Sequence, residues 1–195
     1  MLRSRLLLVP CALAALAAAP PAWAAEYALD TERSNVHFSV PLMAVSKVTG
    51  KFMKYDVKLA AGKNPDLSQA SVTAVIQMGS VDTGNNAWDA KLKTPAFFDA
   101  GKYPEIRFQS RRVRRVGGRW EAIGPLTLHG VTREITLPFT IEGRFDEPDA
   151  AEHLGIHAAF SFDRRDYGMA WAGNTEAKAV GNKVTVNIAL LAARK

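Results

Sequence analysis

Apolar and polar residues alternate with a period of two along most of this chain, the spacing of strands that turn one face inward. Eight runs show it. Val36, Phe38 and Val40 alternate with His37 and Ser39, and Met53, Tyr55, Val57 and Leu59 with Lys54, Asp56 and Lys58. Val72, Ala74, Ile76 and Met78 form a third run, and Ile106 with Phe108 a fourth. Trp120 to Leu128 is the fifth, and Ile135, Leu137, Phe139 and Ile141 are the sixth. Ile156, Ala158, Phe160 and Phe162, then Val184, Val186, Ile188 and Leu190, complete the set. Turn formers separate many of them: Gly62-Lys63-Asn64-Pro65, Gly117-Gly118, Gly143 and Gly181-Asn182. The tight link at Val131-Thr132 lets the segments around His129-Gly130 read as one long bent strand. Strands joined by short links become antiparallel neighbours, and closure removes the exposed edges of the sheet. The expected fold is all-β, an eight-stranded antiparallel barrel. Its interior is either filled by side chains or holds one slender ligand.

One connection breaks the pattern. Between the runs ending at Met78 and opening at Glu105 lies Asp82-Thr83-Gly84-Asn85-Asn86, then a helix-competent stretch from Ala87 to Leu92. Pro95 stops that helix, because proline disfavours helical geometry in the residue before it. The segment carries Trp88, Leu92, Phe97, Phe98 and Tyr103, far more apolar mass than a connection needs. One short helix with its flanks, around residues 84–103, is therefore expected as a lid over the barrel.

Residues 1–24 read as an export signal: Arg3 and Arg5, an apolar run from Leu6 to Ala19, and the small-residue site Ala22-Trp23-Ala24. The expected domain is residues 25–195. Cys11, the single cysteine, leaves with the signal, so no disulfide or thiolate chemistry is expected. Loss of the two arginines lowers the formal charge from +6 to +4. Export makes nucleic acid an unexpected partner and an anionic membrane surface a natural one. The run Arg111-Arg112-Val113-Arg114-Arg115 with Arg119 reads as a solvated hairpin tip or as a patch facing such a surface.

Candidate catalytic chemistry is sparse. Asp82-Thr83-Gly84 matches the aspartic-protease triplet, yet that mechanism needs a second carboxylate and no second copy occurs; a turn leaving a strand accounts for it. His153 and His157 straddle Gly155 without helical spacing or an assisting cysteine, so no metal is expected. No nucleophile elbow or phosphate loop is present. Arg164 and Arg165 beside Asp163 and Asp166 read as a self-neutralising cluster.

Several segments carry a resemblance. SVDTG (Ser80 to Gly84), Phe97-Phe98-Asp99, KYPEIRFQS (Lys102 to Ser110), GPLTLHGVTREI (Gly124 to Ile135) and DRRDYGM (Asp163 to Met169) occur in order. Together they resemble the YceI-like family of periplasmic, isoprenoid-binding proteins. Members often carry His where Pro41 or Leu42 stands and His-Leu where Lys91-Leu92 stands; this chain lacks both. The resemblance implies a lipocalin-like barrel that sequesters an isoprenoid lipid, polyprenyl or quinone-type, and acts without catalysis or cofactor. One arginine of the Asp163–Asp166 cluster could then approach a polar head group. The expected lining is Phe38, Val40, Met53, Tyr55, Ile76, Phe108, Leu128, Phe139, Phe160 and Phe162 from the strands. Trp88, Leu92, Phe97, Phe98, Met169 and Trp171 would form the mouth. A periplasmic carrier fits, with transient membrane contact; a homodimer is compatible. Two other readings stand beside it: an outer-membrane barrel with its apolar face outward, and an enzyme on a lipid-like substrate using His37 or His129.

Overall fold

The computed structural model describes residues 25–43, 45–61, 67–146, 152–170 and 180–195. Residues 1–24, the expected turn at Gly62 to Pro65 and Trp171 lie outside the described residues. Among the described residues are eleven strand segments and one α-helix. They are β1 (Ala25–Leu42), β2 (Ser46–Phe52), β3 (Tyr55–Ala61), β4 (Ser71–Gln77), β5 (Val81–Asp82), the helix α1 (Asn86–Leu92), β6 (Glu105–Gln109), β7 (Arg112–Val116), β8 (Arg119–Leu128), β9 (Val131–Asp146), β10 (Glu152–Asp163) and β11 (Lys183–Arg194).

The eleven segments make eight walls, because three walls are each built from two segments. β1 pairs β2 through residues 37–42 and β3 through residues 25–27. β2 pairs β5 while β3 pairs β4, and β8 pairs both β6 and β7. Every pairing is antiparallel, and β1 closes on β11 from Tyr27↔Arg194 to Ser39↔Thr185. The molecule is an eight-stranded antiparallel barrel with one helix, as the alternation predicts.

The bends explain one error of that prediction. In β2 the even-numbered Val48 and Phe52 face inward, whereas in β3 the odd-numbered Val57 and Leu59 do. The change of phase falls at Met53-Lys54 and is matched across the sheet, where Met78 and Val81 are the buried residues on either side of Gly79-Ser80. The two bends are stitched together: the Met53 amide donates to the Ser80 carbonyl at 3.0 Å, and the Lys54 amide to Ser80 Oγ at 3.0 Å. An unpaired residue resets which face a strand shows. Met53 is consequently out on the bend, 59% exposed, and not in the interior where period-two counting places it.

The segments flanking His129-Gly130 are not one bent strand. They are the arms of a tight hairpin, with Leu128 opposite Val131. His129 (φ 51°) and Gly130 (φ 75°) both adopt the left-handed conformation that a two-residue hairpin turn requires. A side chain on Gly130 would also strike the Tyr103 ring, whose Cε1 lies 2.5 Å from the position of a Cβ.

Apolar side chains gather inside, with charged and polar residues such as Lys58, Thr73, Arg107, Arg133 and Glu134 exposed along the walls. This is the reverse of a barrel that faces lipid. The interior is not filled. Val72, Ile76, Ile106, Leu137, Phe160 and Val186 pack against the core yet remain half-buried; the surface they leave uncovered belongs to an internal void.

Candidate functional site: an apolar cavity under a helical lid

The void measures about 180 Å³ and is lined from every wall. That is comparable with a dry engineered cavity of ~150 Å³ that takes up benzene. Among the described residues, every one that lines it is apolar except Arg164. Water would find no set of polar partners against such walls, so the chemistry favours an apolar occupant.

Of the expected lining, Phe38, Val40, Ile76, Phe108, Leu128, Phe139, Phe160 and Phe162 meet the cavity from the strands. Trp88, Leu92, Phe97, Phe98 and Met169 meet it from the lid and its neighbour. Met53 does not, for the reason given above. Tyr55 does not either: its hydroxyl donates to the Ser34 carbonyl at 2.6 Å, bracing β1 where its register slips between Asp30 and Asn35. Burial pushes the Tyr55 phenol pKa up. Phe52, Leu154 and Val184 line the cavity without having been expected there, and Arg164 is the arginine of its cluster that reaches it. Arg164 was within reach, since it continues the even-numbered series of Phe160 and Phe162.

The lid is a preorganised unit. Asn85 caps α1, its side chain accepting from the amides of Ala87 (3.0 Å) and Trp88 (3.2 Å). Asp82 Oδ1 accepts from the Gly84 amide at 2.8 Å, so the Asp-Thr-Gly triplet is the expected turn. Asp89 Oδ1 then accepts from both the amide and hydroxyl of Thr83, at 2.8 and 2.7 Å, tying the helix to that turn. Beyond the helix, Phe98 inserts against a pair from β1 and β2. Its centroid is 6.2 Å from Phe38 and 6.5 Å from Phe52, which are 5.5 Å apart. Lys91 Nζ lies over the Trp88 and Phe97 rings at 5.2 and 5.8 Å, placing a cation on the aromatic roof.

Arg164 and Arg165 divide their roles. Asp163 Oδ1 caps a single 3₁₀ turn (Arg164–Tyr167) by accepting from the Arg165 amide, and its carboxylate also takes Arg165 Nη2 at 2.6 Å. The side-chain bonds from Arg165 are the largest cause holding the Asp163 pKa at about 2. Arg164 turns inward instead and is almost fully buried. Its Nε donates to the Gly181 carbonyl (3.1 Å), Nη2 to Val180 (3.3 Å) and Nη1 to Met169. Desolvation pushes its pKa down, opposed by Asp163 and reinforced by Arg165. Within the cluster Asp163 is held by Arg165, while Arg164 donates to backbone carbonyls.

Neither histidine of the enzyme reading lines the cavity. His37 is exposed, and His129 lies on the hairpin turn, its Nδ1 3.2 Å from the Tyr167 carbonyl and its ring 4.5 Å from Tyr103. Among the described residues, no three His, Cys, Asp or Glu converge as metal ligands would. The basic run forms the β7–β8 hairpin. There Arg114 pairs Glu121 at 2.8 Å, Arg111 pairs Glu134 at 3.6 Å, and Arg115 lies over Trp120.

A closed antiparallel barrel with an apolar hollow and a lid over one end defines a class of lipocalin-like architecture. Within it the family model of the YceI-like domain matches residues 27–192, so the chain belongs to the YceI-like family. Protein YceI of Salmonella newport (strain SL254) is 31% identical over 149 residues, covering 75% of this chain and 77% of that protein. Among solved structures, Burkholderia cenocepacia BcnA superposes with a TM-score of 0.74 at 19% identity, over 84% of this chain and 98% of its own. The Campylobacter jejuni YCEI protein gives 0.69 at 25% identity, over 77% and 87%. A polyisoprenoid binding domain from Saccharophagus degradans, implicated in plant cell wall breakdown, gives 0.60 at 15% identity, over 87% and 98%.

Proposed function

We propose that this protein binds a long isoprenoid lipid in its barrel and carries or buffers it in the periplasm, without transforming it. The observation that carries the reading is the lining: an internal void whose described wall is apolar at every residue but Arg164. The same barrel in a polyisoprenoid binding domain supports the choice of lipid. The absence of acids, bases and nucleophiles from the described lining supports binding over catalysis, and the leader-like residues 1–24 support export. Burial of each CH₂ favours binding by about 0.8 kcal/mol relative to water. The cargo's alternative is a bilayer of equal apolarity, so the net preference is small, as a reversible carrier requires.

Native mass spectrometry of the protein purified without detergent, followed by solvent extraction, tests the reading. One isoprenoid per chain is expected. Phe108→Asp and Phe160→Asp, which place carboxylates against the void, should each empty the barrel while circular dichroism remains that of a folded barrel. An empty wild type that also refuses added polyprenyl lipids would overturn the proposal, as would normal retention by both folded variants.

A further inference from the structure

We propose that the tip of the β1–β2 hairpin is a docking point for an anionic membrane surface. Beyond the Val40↔Val48 pair, both of whose side chains line the cavity, the hairpin continues outward to Met43 and Val45. These are the two most exposed large apolar residues described, at 69% and 92%. Met43 sits at φ 50°, a left-handed conformation that glycine or asparagine would adopt at lower cost. A methionine held there presents an apolar side chain where turn chemistry alone would choose a small or polar residue.

Two lysines stand behind this tip, the second of them across from Asp163, which is held by Arg165. Lys47 stands opposite Pro41, and the Pro41 carbonyl accepts from the Gly181 amide at 2.7 Å, two residues before Lys183. Lys47 and Lys183 are both exposed. Two apolar residues with a basic collar behind them are the arrangement that seats in the headgroup region of anionic lipid. The tip also adjoins the cavity: Leu42 bridges Val180, and Val180 lines the void beside Arg164. Docking here would bring one end of the hollow to the bilayer in which an isoprenoid resides. The β7–β8 hairpin, the other basic candidate, has three of its arginines committed within the protein, to Glu134, Glu121 and Trp120.

The inference extends the carrier reading but is tested apart from it, using vesicles that contain no isoprenoid. The purified protein should co-sediment with phosphatidylcholine vesicles containing phosphatidylglycerol, less so as salt rises, and not with phosphatidylcholine alone. Lys47→Gln with Lys183→Gln should lower the partition coefficient about thirtyfold. Met43→Asp with Val45→Asp should lower it by at least about tenfold, with the circular dichroism spectrum and lipid retention unchanged. Failure of the wild type to bind anionic vesicles would overturn the proposal. So would loss of binding in Val116→Asp with Arg119→Glu alone, which would move the contact to the opposite hairpin. A dimer in light scattering that Met43→Asp with Val45→Asp dissolves, with no vesicle binding, would assign the tip to a second copy of the chain and overturn it as well. Empty barrels that still dock would overturn the cargo reading and leave this one standing.

Discussion

Asp163 and Arg164 are adjacent and carry opposite charges, yet their side chains serve different purposes. The Asp163 carboxylate caps a turn and holds Arg165, and those bonds keep its pKa at about 2, below the ordinary carboxylate value near 3.9. A depressed folded-state pKa contributes stability that is fully present above the unfolded value and is lost as pH falls through the folded one. The stability difference between wild type and Asp163→Asn, measured by urea unfolding, should therefore be constant from neutral pH down to about 5 and shrink between about 4 and 2. A difference independent of pH would show that the cap acts through geometry rather than charge. Arg164 binds three backbone carbonyls at the end of the hollow and sets the spacing of Met169 from Val180. Its positive charge gives an otherwise featureless apolar wall one polar end.

At the scale of elements, the paired bends decide what faces the cavity. Alternation is a reliable guide along an unbroken strand, which is why Phe108, Phe139 and Phe160 were legible as interior residues. It fails across a bend, because a reset of phase leaves no mark in composition. The run Ser46–Phe52 was illegible for a further reason: Gly50 occupies an inward position between Val48 and Phe52, so too few apolar residues remain to reveal a strand. That glycine has a function in packing. A Cβ at Gly50 would lie 2.5 Å from Phe38 Cζ, so any side chain must push Phe38 away from Phe52 and Phe98. Gly50→Ala should destabilise the barrel by about 1–3 kcal/mol in urea titration and loosen the lid above it. A stability unchanged from wild type would mean that Phe38 has room to move into the void. The His129-Gly130 hairpin was legible in principle, since a turn-prone pair ending in glycine between two apolar runs signals a two-residue turn. The inward turn of Arg164 was obscured by its acidic neighbours, which make the segment look like solvated surface.

For the whole molecule, closure of the sheet matters because it lets an apolar interior remain unfilled without exposing an edge. An unfilled interior carries a mechanical signature. A void of about 180 Å³ per molecule corresponds to on the order of 100 mL per mole, the upper end of the volume lost when domains unfold. Hydrostatic pressure favours the smaller state, so the empty barrel should be unusually soft to it, while a chain lying in the hollow removes most of that advantage. Tryptophan fluorescence under pressure should give an unfolding volume for the loaded protein well below that of the delipidated one. Equal volumes would mean that the hollow collapses when vacant. If the volumes differ, compression becomes a gauge of cargo: the pressure at which the barrel gives way reports, without label or extraction, how full it is.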